Sequence, residues 1–141
     1  MKLELLLRLA GALHFGVLLA SALVPFKLDW RTNLAPLPRF LRRLFWVYGA
    51  FIVLCIAGFG VLTLAHAPAL AAGEPVARSL CAFIALFWLA RLAVQWFVFE
   101  ARALLTNWFY KLGYHTLTLV FLYFALVYGW AAWWAGTERI P

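Results

Sequence analysis

Charge is what this sequence has least of. Asp and Glu number five in 141 residues, and charged residues of both signs make up 12% of the chain, against about 25% in an average soluble domain. A small water-soluble fold cannot be closed with so few, because small domains keep a large surface-to-volume ratio and most of the apolar excess would face water. The alternation of polar and apolar residues that marks a membrane-spanning strand is also missing, which excludes a β-barrel. Cysteine is scarce, with only Cys55 and Cys81. Each lies inside an apolar run, and the two read as buried thiols filling apolar space; a bond between them would need similar depth on facing helices.

What is abundant is grease. Hydrophobic residues reach 67%, with 8 Trp, 5 Tyr and 13 Phe. They fall into four runs, about 3–24, 44–65, 76–105 and 110–135. Each reaches the roughly 20 residues that an α-helix needs to cross about 30 Å of hydrocarbon. Pro25 closes the first run, since proline lacks the amide a helix would use. His66 and Pro68 close the second, and Ala71-Ala72-Gly73-Glu74-Pro75 forms the turn into the third. Lys2 and Arg8 ahead of Ala20-Ser21-Ala22 imitate a signal peptide, but the stretch is read as a retained helix. Helices satisfy their own backbone polar groups, which lipid cannot do. The expected fold is an all-α integral membrane protein, a single domain of four transmembrane helices in an antiparallel up-down-up-down bundle.

The net charge of +7 would point to nucleic acid on a soluble protein. Here the basic residues cluster between apolar runs with no soluble domain to carry that function, so anionic lipid head groups are the simpler partner. Lys27, Arg31, Arg39, Arg42, Arg43, Arg102 and Lys111 fall on one side of the expected bundle, and Lys2, Arg8, Arg78 and Arg139 on the other. That bias places both termini on the non-cytoplasmic side of the cell (inner) membrane. Trp30, Trp108, Tyr110, Trp130, Trp133 and Trp134 read as interfacial belts.

Motifs of known chemistry are missing. Without CxxC the chain does not match the four-helix thiol-redox quinone enzymes of similar size. There is no HExxH, no Gly-rich phosphate loop and no paired acidic motif. The residue that stands out is Arg91, near the middle of the third run, where a charge costs about 2.5–3.5 kcal/mol on insertion scales. Gln95 at i+4 and Trp88 at i−3 share its face, giving a polar stripe toward the bundle interior. Three readings follow: Arg91 holds an anionic or carbonyl-bearing ligand, fixes helix packing, or snorkels. Glu100, nine residues on, is about 13.5 Å away along the helix axis and cannot pair with it. Glu4 and Arg8 are spaced to pair locally.

His14 lies midway along the first run, with Ser21 on its face. Ala12, Gly16 and Ala20 form a small-residue stripe on another face, expected to be the tightly packed one. His115 stands near the start of the fourth run. Two histidines on different helices are the ligand set of a b-type haem, although His14 and His115 fall at different expected depths. Tyr48, Trp88 and Trp96 sit deep enough to line a pocket for an isoprenoid tail or quinone. The expected ligand-binding set is therefore Arg91, Gln95, His14, Trp88, His115 and Tyr48. The first functional expectation is a small membrane binding or accessory subunit, packing with itself or within a larger membrane complex and holding a lipid- or quinone-like molecule. The alternatives are a haem- or quinone-handling redox subunit using His14 or His115, and a small transporter or channel.

Overall fold

A computed structural model of the chain describes residues 2–98 and 107–134. Among them every regular element is a helix: α1 (Lys2–Ala22), α2 (Val24–Lys27), α3 (Trp30–Asn33), α4 (Arg39–Ala72), α5 (Pro75–Phe97) and α6 (Trp108–Trp134). Four segments are long and apolar enough to cross a membrane: Lys2–Lys27, Arg39–Ala72, Pro75–Phe97 and Trp108–Trp134. The sequence positions of Glu100, Arg102 and Arg139, and the expected helix ends near 105 and 135, lie outside the described residues.

Proline and glycine set the joints. Pro25 does not end helical structure outright. It falls in the first turn of the short α2, where its missing N–H costs nothing. Asp29 then adopts a left-handed conformation (φ 42°), and its carboxylate accepts from the Thr32 N–H at 3.5 Å to cap α3. The connection expected to be simply polar is thus folded, and α4 begins at Arg39 rather than Leu44. Pro68 likewise kinks α4 instead of stopping it. His66 leaves helical geometry (φ −119°, ψ 19°) and the helix resumes to Ala72, because the proline ring clashes with the preceding turn while Ala67 before it and Leu70 after it are fully packed. Gly73, at φ 73°, closes α4 in a conformation that only glycine adopts cheaply, and Pro75 opens α5.

The helices pack as a bundle in which α1 lies along α4 and α5 along α6, while α1–α6 and α4–α5 contacts are sparser. The α1–α4 crossing is close. A Cβ added to Gly60 would stand 2.9 Å from the Phe15 ring and 3.1 Å from the His14 Cβ, and one on Gly11 would stand 2.8 Å from the Leu64 side chain. Burial is uneven along the bundle. It covers Leu7 to Val17 of α1, Ile56 to Leu70 of α4, Ala77 to Gln95 of α5 and Phe121 to Ala131 of α6. No residue is buried from Arg39 to Cys55 or from Trp108 to Val120.

Candidate functional site

The inward stripe of α1 is Leu7, Ala10, Gly11, His14 and Val17, a helical repeat of threes and fours. It carries His14 to the centre of the bundle, where the ring has no exposed surface. Phe124 stacks on it at 4.2 Å between centroids, and Trp88, Tyr128 and Phe59 meet it edge-on at 5.5, 5.9 and 6.2 Å. Its Nδ1 lies 2.8 Å from the Ala10 carbonyl. A carbonyl only accepts, so Nδ1 carries the proton and donates. The Trp88 indole N–H donates to Nε2 at 3.1 Å; an indole N–H only donates, so Nε2 supplies its lone pair. Both ring nitrogens are thereby committed in a neutral imidazole.

Three more polar links surround this centre. The Thr63 and Tyr128 hydroxyls share a buried hydrogen bond of 2.7 Å between α4 and α6. Gln95 donates from Nε2 to the Thr118 hydroxyl at 2.6 Å, and that hydroxyl donates to the Tyr114 carbonyl at 2.8 Å. Tyr123 donates to the Leu6 carbonyl at 2.9 Å. Arg91 is half-buried, with its guanidinium carbon 5.4 Å from the centroid of the Phe121 ring, a cation–π contact. Phe121 stacks on Trp88 at 4.8 Å. Arg91, Phe121, Trp88 and His14 therefore form one continuous line of contacts.

Four of the six residues singled out in the sequence meet in this region: Arg91, Gln95, Trp88 and His14. The other two do not join it. His115 is exposed, with Tyr114 against its ring at 5.6 Å, and Tyr48 is exposed on α4. Both stand on the halves of their helices that carry no buried residue. The packed face of α1 is also not the expected one. Ala12 and Gly16 point outward, nothing lies within 4 Å of a Cβ placed on Gly16, and Ser21 is exposed. The close approach runs instead through Gly11 and Gly60, on the side that bears His14. Cys81 is buried as expected, Cys55 faces outward, and both are free thiols. Glu4 and Arg8 pair at 2.9 Å.

Sequence reasoning missed Thr63, Phe121, Phe124, Tyr128 and the two glycines. The spacing of Phe121, Phe124 and Tyr128 at i, i+3 and i+7 was the available signal. Among the described residues no group of three or more His, Cys, Asp or Glu stands ready to hold a metal ion. Both ring nitrogens of His14 are engaged, and His66 and His115 are exposed. A shallow groove of about 340 Å³ lies away from this centre, at the start of α5, lined by Pro75, Arg78, Ser79, Ala82 and Ala132; there Arg78 donates from Nε to the Ala132 carbonyl at 2.9 Å. Comparison of the chain with protein-family models, with curated proteins and with solved structures finds no match.

Proposed function

We propose that this protein is a small integral membrane binding or accessory subunit. Its four apolar segments cross the cell membrane in alternating directions with both termini on the non-cytoplasmic side. A lipid- or quinone-like molecule lies against the α5–α6 seam beside Arg91 and Gln95. Insertion is supported by the outward faces: Phe51, Ile52, Val53 and Leu54 are consecutive and all exposed, so α4 is apolar around its full circumference there, an arrangement suited to acyl chains and not to water. A binding role, rather than catalysis, is supported by how the interior polar groups are used: those of His14, Thr63 and Gln95 are engaged in bonds between helices.

The observation that carries the ligand reading is the position of Arg91. It rests on Phe121, the first buried residue of α6, so it stands where the covered part of the bundle gives way to the uncovered part. A cation at that boundary meets a carbonyl- or phosphate-bearing head group arriving from the lipid side, and such interior cations are usually functional. The unburied halves of α4 and α6 leave room for the apolar tail, for a second copy or for a partner chain.

Native mass spectrometry of the protein released from mild detergent tests the reading. The wild type is expected to retain a small hydrophobic molecule, and Arg91→Met is expected to stay folded and lose it. Unchanged ligand content in a folded Arg91→Met variant would refute the site. A protein that stays folded and monomeric in buffer without amphiphile would refute the membrane placement.

A further inference from the structure

The densest charge on the molecule runs from α2 to the start of α4, and it is held in place. Lys27, Arg31, Arg39, Arg42 and Arg43 fall within one short stretch of chain with a single carboxylate, Asp29, which caps α3. The stretch does not hang free. Trp30 packs edge-on against Phe45 and Trp46 of α4, at 4.9 and 5.6 Å. Asn33 donates to the Leu28 carbonyl at 2.7 Å, and Arg42 reaches back to the Ala35 carbonyl at 3.5 Å. These contacts dock α3, which carries Arg31 next to Trp30, onto the start of α4. On α4 itself, Arg39, Arg42 and Arg43 occupy i, i+3 and i+4, one face of the helix. Trp46 follows on that face, and one turn further come Gly49 and Ala50, where nothing lies within 4 Å of a Cβ placed on Gly49.

We propose that this face binds an anionic phospholipid: the phosphate lies among Arg39, Arg42, Arg43 and Arg31, Trp46 sits at the level of the glycerol backbone, and an acyl chain runs down the open strip over Gly49 and Ala50. The proposal rests on the membrane placement above but not on the Arg91 site. Charge complementarity selects the occupant. A zwitterionic head group brings its own cation and gains little from five positive side chains, whereas an anionic one neutralises them. The apolar strip directly below the arginines favours a phosphate that carries a hydrocarbon tail over free phosphate. Guanidinium groups suit phosphate because their N–H donors are arranged as a fork.

The test uses the full chain in a mild non-ionic detergent, with phosphatidylglycerol and phosphatidylcholine of identical chains as probes and native mass spectrometry as the readout. The wild type is expected to retain phosphatidylglycerol preferentially, and high ionic strength should erase the preference. Each cation near a membrane surface contributes about fivefold in affinity, so Arg39→Gln, Arg42→Gln and Arg43→Gln together should cost about 100-fold. Lys2→Gln with Arg8→Gln, far from this face in the chain, should leave the preference intact. The salt response of the wild type keeps the test decisive if the triple variant does not fold. Equal retention of the two lipids by the wild type, or displacement of phosphatidylglycerol by excess inorganic phosphate, overturns the proposal. Neither result depends on whether a molecule is bound at Arg91.

Discussion

Replacing His14 by Phe probes the centre of the bundle with little change in shape. The new ring can still stack on Phe124, where the imidazole now lies at 4.2 Å, but it offers no lone pair to the Trp88 indole N–H, 3.1 Å from Nε2. Trp88 is 1% exposed, so water cannot take over as acceptor. In a water-soluble core a stranded donor costs about 1–3 kcal/mol. Between helices in lipid, measured hydrogen-bond couplings average about 0.6 and reach about 1.7 kcal/mol, because the unfolded helices find other partners within the membrane. The second scale applies to the membrane placement proposed above. His14→Phe, Trp88→Phe and the double variant form a cycle that separates the bond from the volume lost at Trp88. The expected coupling is about 0.6–1.7 kcal/mol, read as the shift in unfolding free energy during titration of mixed micelles with a denaturing detergent, followed by circular dichroism. Ring ¹⁵N shifts of His14 should independently show a neutral imidazole protonated at Nδ1. A coupling within about 0.3 kcal/mol of zero, the range of simple additivity, would show that the His14–Trp88 bond does not join α1 to α5.

Two further outcomes follow from the packing. Gly60→Ala places a Cβ 2.9 Å from Phe15 and 3.1 Å from the His14 Cβ, whereas Gly58→Ala meets nothing within 4 Å. Both gain about 1 kcal/mol of helix preference, but only the first is overpacked, at about 1–3 kcal/mol. Gly60→Ala should therefore unfold more readily than Gly58→Ala by that margin in the same detergent titration, and equal stabilities would contradict the crossing. A lipid-soluble thiol reagent should modify Cys55, which faces outward, well before the fully buried Cys81. Peptide mass mapping reads the order, and modification of both at one rate would contradict the burial.

The positions of the long helices were legible because length and punctuation agree. Each apolar run is long enough to be a spanning helix, and prolines or glycines stand at the joints: Pro25, Pro38, Gly73 and Pro75. The internal proline misled, since Pro68 reads as a stop. Whether a proline ends a helix or bends it depends on what packs beyond it, here Leu70. The α5 face was legible for the same kind of reason. Trp88, Arg91 and Gln95 repeat at helical spacing, and two of them are polar in an apolar setting, so the inward side is marked. On α1 no such contrast exists. The helix is apolar on every side, so the stripe through Ala12 and Gly16 competed with the one through Gly11, and only the position of α4 decides between them. His115 and Tyr48 show a further limit. Periodicity reports which face of a helix turns inward but not which half of its length is covered, and both residues stand on the uncovered halves of α6 and α4.

The polar groups of the interior explain how such a chain selects one arrangement. In lipid an apolar side chain is as well accommodated by acyl chains as by another helix, so buried apolar area does not choose a register. Directional bonds and close backbone approach do. His14–Trp88 ties α1 to α5, Thr63–Tyr128 ties α4 to α6, Gln95–Thr118 ties α5 to α6, and Tyr123 holds the Leu6 carbonyl of α1. Each long helix is thus bonded to at least one other, and α1 is held at two points, Leu6 and His14, by two different helices. Sliding α1 by one turn, about 5.4 Å, would break both bonds and drive Gly11 away from Leu64 and the Gly60 carbonyl. The penalties arise together, so the register is fixed more firmly than any one bond of about 0.6 kcal/mol would suggest. His14, bonded to Trp88 of α5 and stacked on Phe124 of α6, pins the two helix pairs to each other.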